Sequence, residues 1–344
     1  MDEILITRLF PEEISEQLGL EPFRGRQIFR WIHEKHLFDI QKMTDLSKEL
    51  RNELENKAIF CQTEVLHVQE SSTSGTKKVL LQLRDHQTIE SVIIPHRRRV
   101  TFCLSTQVGC PLKCAFCATG KAGFKRNLNA GEIIEQVLHL LSLIELGHRT
   151  PNIVYMGMGE PFWNYDEVIR SIKLIMHPLG VNIGARKITV STAGDVKGIQ
   201  KFAEENWQVR LSISLHAGND TLRSRLVPLN RKYPLDKLAE ALHQYQQKTD
   251  RMITFEYVLL GGVNDSLKHA QELFEYAKQF KCTVNLIPWN PVSDISFYPP
   301  TQETCEQFLQ FLTQNGLNAT LRKERGQDIN AACGQLRRIV LIQE

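Results

Sequence analysis

The sequence predicts an α/β protein: a parallel sheet with helices outside it, preceded by a helical accessory segment and a few linking strands. Three observations carry this. Apolar strand-like runs alternate with amphipathic helix-like runs six times between residues 100 and 314, the pattern of consecutive βα units. Glycine and polar residues follow nearly every strand-like run, where α/β proteins gather their chemistry. The hydrophobic period also changes twice, near residue 61 and near residue 95.

The elements follow in order. Residues 1–60 read as helical: Phe23, Ile28, Trp31 and Ile32 fall on one face, and Ser47 to Leu54 continues in that mode. Arg24, Arg26, Arg30 and Lys35 make this segment basic, either a solvated face or a nucleic-acid contact. Within 61–95, Thr76 to Leu83 and Thr88 to Ile94 read as strands joined at Asp85-His86, and the boundary falls near Pro95. The six units pair Val100–Ser105 with Gly131–Leu146, Ile153–Met158 with Tyr165–Met176, and Lys187–Ser191 with Val196–Glu205. Val209–His216 then pairs with Leu235–Lys248, Met252–Leu260 with Lys268–Phe280, and Thr283–Ile287 with Glu303–Gln314. Asn129, with Glu132 three residues on, opens the first helix as a capping box. Six units are compatible with a partial barrel or with an open doubly wound sheet.

Composition narrows the function. In 344 residues, 42 basic and 39 acidic side chains leave a net charge of +3. That excludes a charge-dominated nucleic-acid binder but not a local basic patch. No run approaches the ~18 apolar residues of a membrane span; Val137 to Leu146 is the nearest and is interrupted. The start, Met1-Asp2-Glu3, is acidic where a signal peptide would be basic. The expectation is a cytoplasmic protein, in which eight cysteines call for metal binding, catalysis or burial rather than stable disulfides.

Three cysteines stand together. Cys110, Cys114 and Cys117 have the spacing C-x3-C-x2-C, which the cysteine frequency would give by chance with a probability of roughly 0.004. Structural zinc usually takes a fourth ligand from a second paired motif, and the sequence has no second C-x2-C or H-x3-H pair. Three thiolates on a [4Fe–4S] cube leave one iron open to a small molecule. Cys103 lies in the first strand of the series, while Cys333 lies in a polar, glycine-containing segment that favours a reactive thiol. Cys61, Cys282 and Cys305 read as small buried hydrophobes.

The cysteine loop after the first strand, with Gly157-Met158-Gly159-Glu160-Pro161 after the second, resembles the signature of radical S-adenosylmethionine (SAM) enzymes. Further segments make the resemblance more specific: Glu90 to Pro95, Cys103 to Cys117, Ser191-Thr192, Ser214 to Ala217, Gly261 to Asp265, Asn285 to Pro291 and Arg325 to Leu336. They are similar to the RlmN/Cfr family of radical SAM RNA methyltransferases. The resemblance implies a partial (βα)6 radical-SAM barrel, with residues 1–60 as accessory domain, 61–95 as linking strands and 96–344 as barrel plus C-terminal catalytic loop. It implies that Cys110, Cys114 and Cys117 hold the [4Fe–4S] cluster, and that Gly159, Glu160, Ser191, Ser214, Leu215, His216 and Asn290 bind SAM. Cys333 would be the methyl-carrying cysteine, Cys103 its resolving partner through a transient disulfide, and Glu90 the proton acceptor. Without the resemblance, Glu90 reads as a solvent-facing strand glutamate.

The implied chemistry uses two SAM molecules per turnover. One methylates Cys333; the other yields a 5′-deoxyadenosyl radical that activates that methyl for addition to the electron-poor adenine ring. The implied product is adenine methylated at carbon 2, at adenosine 2503 of 23S ribosomal RNA and in transfer RNA. A Cfr-type enzyme acting at carbon 8 is the alternative. Gly159-Glu160-Pro161 and Asn285 to Asn290 resemble the carbon-2 branch more closely. A non-catalytic RNA-binding or zinc protein is the reading from another class, and it would be colourless and iron-free. An external flavodoxin-type electron donor and a monomeric state complete the expectation. Arg97-Arg98-Arg99, Lys125-Arg126, Arg223 with Arg225, Arg231-Lys232, Arg322-Lys323 with Arg325, and Arg337-Arg338 are candidate phosphate contacts. The target base must leave its stack to reach a barrel mouth.

Overall fold

A computed structural model describes residues 3–96, 99–147, 149–292, 295–322 and 325–336. Met1, Asp2, Arg97, Arg98, Lys323, Arg337 and Arg338, all invoked above, lie outside the described residues.

The N-terminal segment forms α1 (Pro11–Leu18), α2 (Pro22–His33) and α3 (Lys48–Glu55). Proline at the first position of α1 and α2 suits a site whose amide has no helical partner. The two helices cross closely at Gly25, where a Cβ would stand 2.1 Å from the Pro11 carbonyl oxygen. The buried face of α2 is Ile28, Phe29 and Ile32. Phe23, expected on that face, is instead 46% exposed. It sits in the first turn of α2, six residues before Phe29, which occupies the interior.

One ten-stranded sheet organises the rest. Its strands are β1 (Thr63–Glu70), β2 (Lys77–Leu83), β3 (Thr88–His96), β4 (Arg99–Cys103) and β5 (Asn152–Tyr155). They continue as β6 (Ile188–Thr192), β7 (Arg210–Ser214), β8 (Ile253–Leu259), β9 (Cys282–Pro288) and β10 (Ala319–Leu321). Spatial order equals chain order. β1 to β4 form an antiparallel meander, and β4 to β10 run parallel. A doubly wound sheet reverses its strand order at a switch point; this one never does. Successive right-handed crossovers in one direction put every helix on the same side, as in a barrel that stays open. The linking strands join the barrel sheet directly, with Val92 opposite Cys103 and His96 opposite Arg99.

The six expected helices are α4 (Ala130–Ser142), α5 (Tyr165–Met176), α6 (Val196–Glu204), α7 (Leu235–Thr249), α8 (Leu267–Ala277) and α9 (Gln302–Gln314). The capping box at Asn129 and Glu132 is present in both directions, at 3.0 and 2.9 Å. α4 is buried nearly all round because it packs on the first strands of the sheet and is also covered at Glu135 by Thr7 and Gln62. That double coverage explains the apolar run beginning at Val137. No helix among the described residues is long and apolar enough to cross a membrane.

Candidate active site at the strand ends

The cysteine loop is tied down on several sides. A short antiparallel pair, Gln107–Gly109 with Phe124–Asn127, closes its base. Cys110 N donates to the Gly123 carbonyl at 3.0 Å, and Ala115 N to the Leu226 carbonyl at 3.0 Å. Trp289, just past β9, donates from Nε1 to the Phe116 carbonyl at 3.1 Å. Burial pushes the Cys110 thiol up to about 12. Burial, then the proximity of Cys117 and Cys110, pushes Cys114 well above the ordinary thiol range. Cys110 and Cys114 therefore ionise together only around a cationic centre. The three sulfurs are not all within 4.8 Å of one another, whereas ligands of one tetrahedral zinc, each at ~2.3 Å, stand roughly 3.8 Å apart. The donor set fits the corners of a [4Fe–4S] cube with one iron unligated by protein.

The Gly157–Glu160 turn leaves β5 laced to the loop after β4. Gly157 N donates to the Leu104 carbonyl at 2.9 Å, Thr106 N to the Met158 carbonyl at 2.8 Å, and Met158 N to Ser105 Oγ at 2.9 Å. Gly159 has φ +110°, and a Cβ there would lie 2.7 Å from Thr106 Oγ1. Glu160 is buried; its carboxylate accepts from Ala193 N at 2.8 Å and from Phe162 N at 3.2 Å. Burial nevertheless raises it to about 7. On the next strands Ser191 Oγ and Ser214 Oγ lie 3.4 Å apart.

His216 takes a left-handed backbone, φ +61°. Its Nδ1 accepts from Val258 N at 3.0 Å, and its ring meets Phe116 edge-on at 4.7 Å. Burial, then the charge of Arg223, lowers it to about 3, so the imidazole is neutral. Leu215 is buried, and its amide donates to the Glu256 carbonyl at 3.0 Å. Asn290 is buried and accepts from Gln327 Nε2 at 2.6 Å, which ties β9 to the segment carrying Cys333.

That segment docks on the cysteine loop: Ala118 N donates to the Gly334 carbonyl at 2.8 Å. Cys333 and Cys103 are both free thiols, and each is within electrostatic reach of Arg322. Arg322, following β10, donates from Nη1 to Cys333 Sγ at 3.4 Å. Its positive charge is favoured first by Cys333 and, against the cost of burial, by Glu256 and Cys103. Burial pushes Cys103 up to about 12, with Cys333 adding to the rise and Arg322 opposing it. Glu90 does not face solvent: it is buried and paired with Lys78 Nζ at 3.2 Å. Ser105 Oγ donates to the Glu90 carbonyl at 2.7 Å, so one hydroxyl joins the Glu90 strand to the Gly157–Glu160 turn.

Several basic residues have other employment than phosphate. Arg223 is fully buried and donates to the Leu215 and Ala193 carbonyls at 3.0 and 2.7 Å and to Asn230 Oδ1 at 2.7 Å. Arg322 serves Cys333, Arg325 donates to the Pro95 carbonyl at 2.7 Å, and Arg126 is held by Asp85 and Glu132. Arg99, Lys125, Arg225, Arg231 and Lys232 are exposed. On α2, Arg26 and Arg30 line a groove of about 340 Å³ with Phe23, Gln27 and Leu179. Sequence reasoning missed Lys78, Arg322 and Glu256 as site residues. Glu256 carried a signal, a carboxylate inside the apolar run Phe255 to Leu260; its Oε2 has no hydrogen-bond partner among the described residues.

Comparison with known proteins agrees with this geometry. The radical SAM superfamily model matches residues 104–275, and a ribosomal RNA large subunit methyltransferase N-terminal domain model matches residues 11–60. A probable dual-specificity RNA methyltransferase RlmN of Staphylococcus carnosus is 46% identical over 98% of this chain and 93% of its own length. One from Syntrophomonas wolfei is 47% identical over 93% of each chain. The crystal structure of a radical SAM methyltransferase from Sphaerobacter thermophilus superposes with a TM-score of 0.94 at 44% identity, over 97% of this chain and 99% of that one.

Proposed function

The chain belongs to the RlmN family of radical SAM RNA methyltransferases, and from that premise we propose that it methylates carbon 2 of adenine at adenosine 2503 of 23S ribosomal RNA and takes transfer RNA as a second substrate. The description of its relatives as dual-specificity RNA methyltransferases supports two RNA substrates. The observation that carries the reading is the docking of the Cys333 segment on the cysteine loop, with Arg322 on Cys333 Sγ and Cys103 within electrostatic reach of both.

Family members use a [4Fe–4S] cluster and SAM, which here would sit on Cys110, Cys114 and Cys117 and against Gly159, Glu160, Ser191, Ser214, Leu215, His216 and Asn290. When bound, they supply the methyl group and the one-electron hydrogen abstraction, two SAM molecules per turnover. The chain's own residues do the rest. Cys333 Sγ, held by the Arg322 guanidinium, accepts a methyl group and presents it to the base. Glu90, ion-paired with Lys78, removes the ring proton. The Cys103 thiolate attacks Cys333 Sγ, the carbon–sulfur bond breaks with its electron pair passing to the methylene carbon, that carbon takes up a proton as the product leaves, and a Cys103–Cys333 disulfide remains. An external flavodoxin-type donor supplies, one at a time, the two electrons that with two protons from solvent return the disulfide to two thiols. The surface formed by Arg99, Lys125, Arg225, Arg231 and Lys232, with the basic face of α2, holds the RNA backbone of a monomeric cytoplasmic enzyme.

The test is anaerobic reconstitution, incubation with SAM, reductant and unmodified 23S ribosomal or transfer RNA, and nucleoside mass spectrometry. The expected product is 2-methyladenosine, absent with Cys333→Ala. The Cys103→Ala variant is expected to leave RNA covalently attached to protein. An 8-methyladenosine product would assign the carbon-8 reaction instead. No methylated adenosine from cluster-loaded protein would overturn the proposal.

A further inference from the structure

A second constellation of ligand atoms lies outside the strand-end site. Glu135 and His139 sit one turn apart on α4, and Cys61 stands opposite them in the connector just before β1. Their sulfur, oxygen and nitrogen atoms all lie within 4.8 Å of one another, the one such group among the described residues. Cys61 Sγ is 3.5 Å from Glu135 Oε2 and 3.9 Å from His139 Nε2. Around a tetrahedral zinc with bonds of ~2.0–2.3 Å, sulfur-to-oxygen and sulfur-to-nitrogen distances come to roughly 3.5–3.6 Å. Both distances from the sulfur thus stand within a few tenths of an ångström of those in a coordination sphere.

We propose that Cys61, Glu135 and His139 form a structural site for a divalent ion of the zinc class, which clamps the connector from the N-terminal helices to barrel helix α4. Thiolate, carboxylate and imidazole together suit zinc and exclude the hard cations magnesium and calcium. Two anionic ligands neutralise a dication, as a mostly buried site requires. On binding, the Cys61 S–H bond breaks, its proton goes to solvent and a sulfur–metal bond forms. Thr63 Oγ1, 2.7 Å from Glu135 Oε2 and 2.9 Å from His139 Nε2, supplies the fourth ligand directly or through water.

The outer shell is already built. Gln62 N donates to Glu135 Oε2 at 2.8 Å, while Thr7 Oγ1 and Gln62 Nε2 hold Oε1, the kind of support that orients a ligating carboxylate. Glu135 is buried, but Cys61 and His139 are partly exposed, which leaves an entry path. The same atoms also make a closed hydrogen-bond network. A network without metal predicts that removing Cys61 or His139 changes no metal content, and this separates the two accounts.

The test uses full-length protein with its iron–sulfur cluster loaded anaerobically, so that Cys110, Cys114 and Cys117 are occupied. It is dialysed against a weak chelator and given zinc. The expected result is one retained zinc per chain, with a zinc-edge absorption spectrum of one sulfur and two or three nitrogen or oxygen neighbours. Cys61→Ser and His139→Gln should bind at least about tenfold more weakly with unchanged iron content and circular dichroism. Cobalt offered to the unmutated holoprotein should give a single thiolate charge-transfer band, a readout that needs no variant to fold. Zinc retained equally by both variants, a shell of several sulfurs, or unmutated protein that keeps no zinc and shows no cobalt band would each overturn the proposal.

Discussion

Replacing Arg223 by methionine tests whether a buried cation organises the strand ends. Arg223 has no exposed surface. Burial, the largest cause, lowers it from 12.5 to about 10, which corresponds to roughly 3 kcal/mol against the charged form. Set against that are hydrogen bonds at 3.0, 2.7 and 2.7 Å to the Leu215 carbonyl, Asn230 Oδ1 and the Ala193 carbonyl. Bonds from a charged donor contribute about 1.5–3 kcal/mol each, so three give roughly 4–9 kcal/mol. Methionine removes both sides of the balance, and the net expected loss is about 3 kcal/mol. Arg223→Lys keeps the charge but not the planar fork, and should recover only part of it. The assay is urea unfolding followed by circular dichroism, with hydrogen exchange of the amides from Ala193 and from Ser214 to Ala217. Arg223→Met should lower the urea midpoint and speed exchange at those amides. A change below about 1 kcal/mol with unchanged exchange would refute the reasoning.

Three further outcomes are expected. Gly159→Ala places a Cβ 2.7 Å from Thr106 Oγ1 at φ +110°, a strain of about 1–3 kcal/mol; calorimetric SAM affinity of the cluster-loaded protein should fall at least several-fold, and unchanged affinity would refute the role of that turn. His33 is buried with neither ring nitrogen hydrogen-bonded among the described residues, and burial lowers it to about 3; the unfolded chain therefore binds its proton first, and stability held above pH 6.5 is lost as pH falls toward 3. His33→Leu should flatten that acid limb by about 1.4 kcal/mol per pH unit in urea midpoints measured from pH 7 to pH 5, and parallel curves would show the assignment to be wrong. Asn129→Ala removes the cap that accepts from Glu132 N at 3.0 Å and should cost about 1 kcal/mol, read as a lower urea midpoint.

Much of this protein was legible in its chain because the signals are local. A βα unit repeats its hydrophobic pattern within a few tens of residues, and the six units emerged with ends shifted by a few positions. The seventh parallel strand, Ala319–Leu321, was hidden because three residues carry no period. The cysteine spacing and the Gly157–Glu160 turn are contiguous, so their shared chemistry shows in one dimension. Two linking strands were readable, Thr76 to Leu83 and Thr88 to Ile94, but Thr63–Glu70 and the union with the barrel sheet through Val92 and Cys103 were not, since pairing depends on what lies opposite.

Charge was the least legible property. Arg223, Arg225, Arg231 and Arg322 look alike in sequence. Folding buries the first beneath the Leu215 and Ala193 carbonyls, leaves the next two exposed and points the last at Cys333. Without the resemblance Glu90 reads as solvent-facing, and Cys61 reads as merely apolar, whereas they meet Lys78 and Glu135 with His139. The sequence by itself determined the run of six βα units and the cysteine spacing, because backbone preference and motif spacing act over short chain distances. Only the tertiary structure decided which titratable groups are buried and what each one faces, because desolvation and Coulomb energy depend on neighbours that a strand order, not a spacing, brings together.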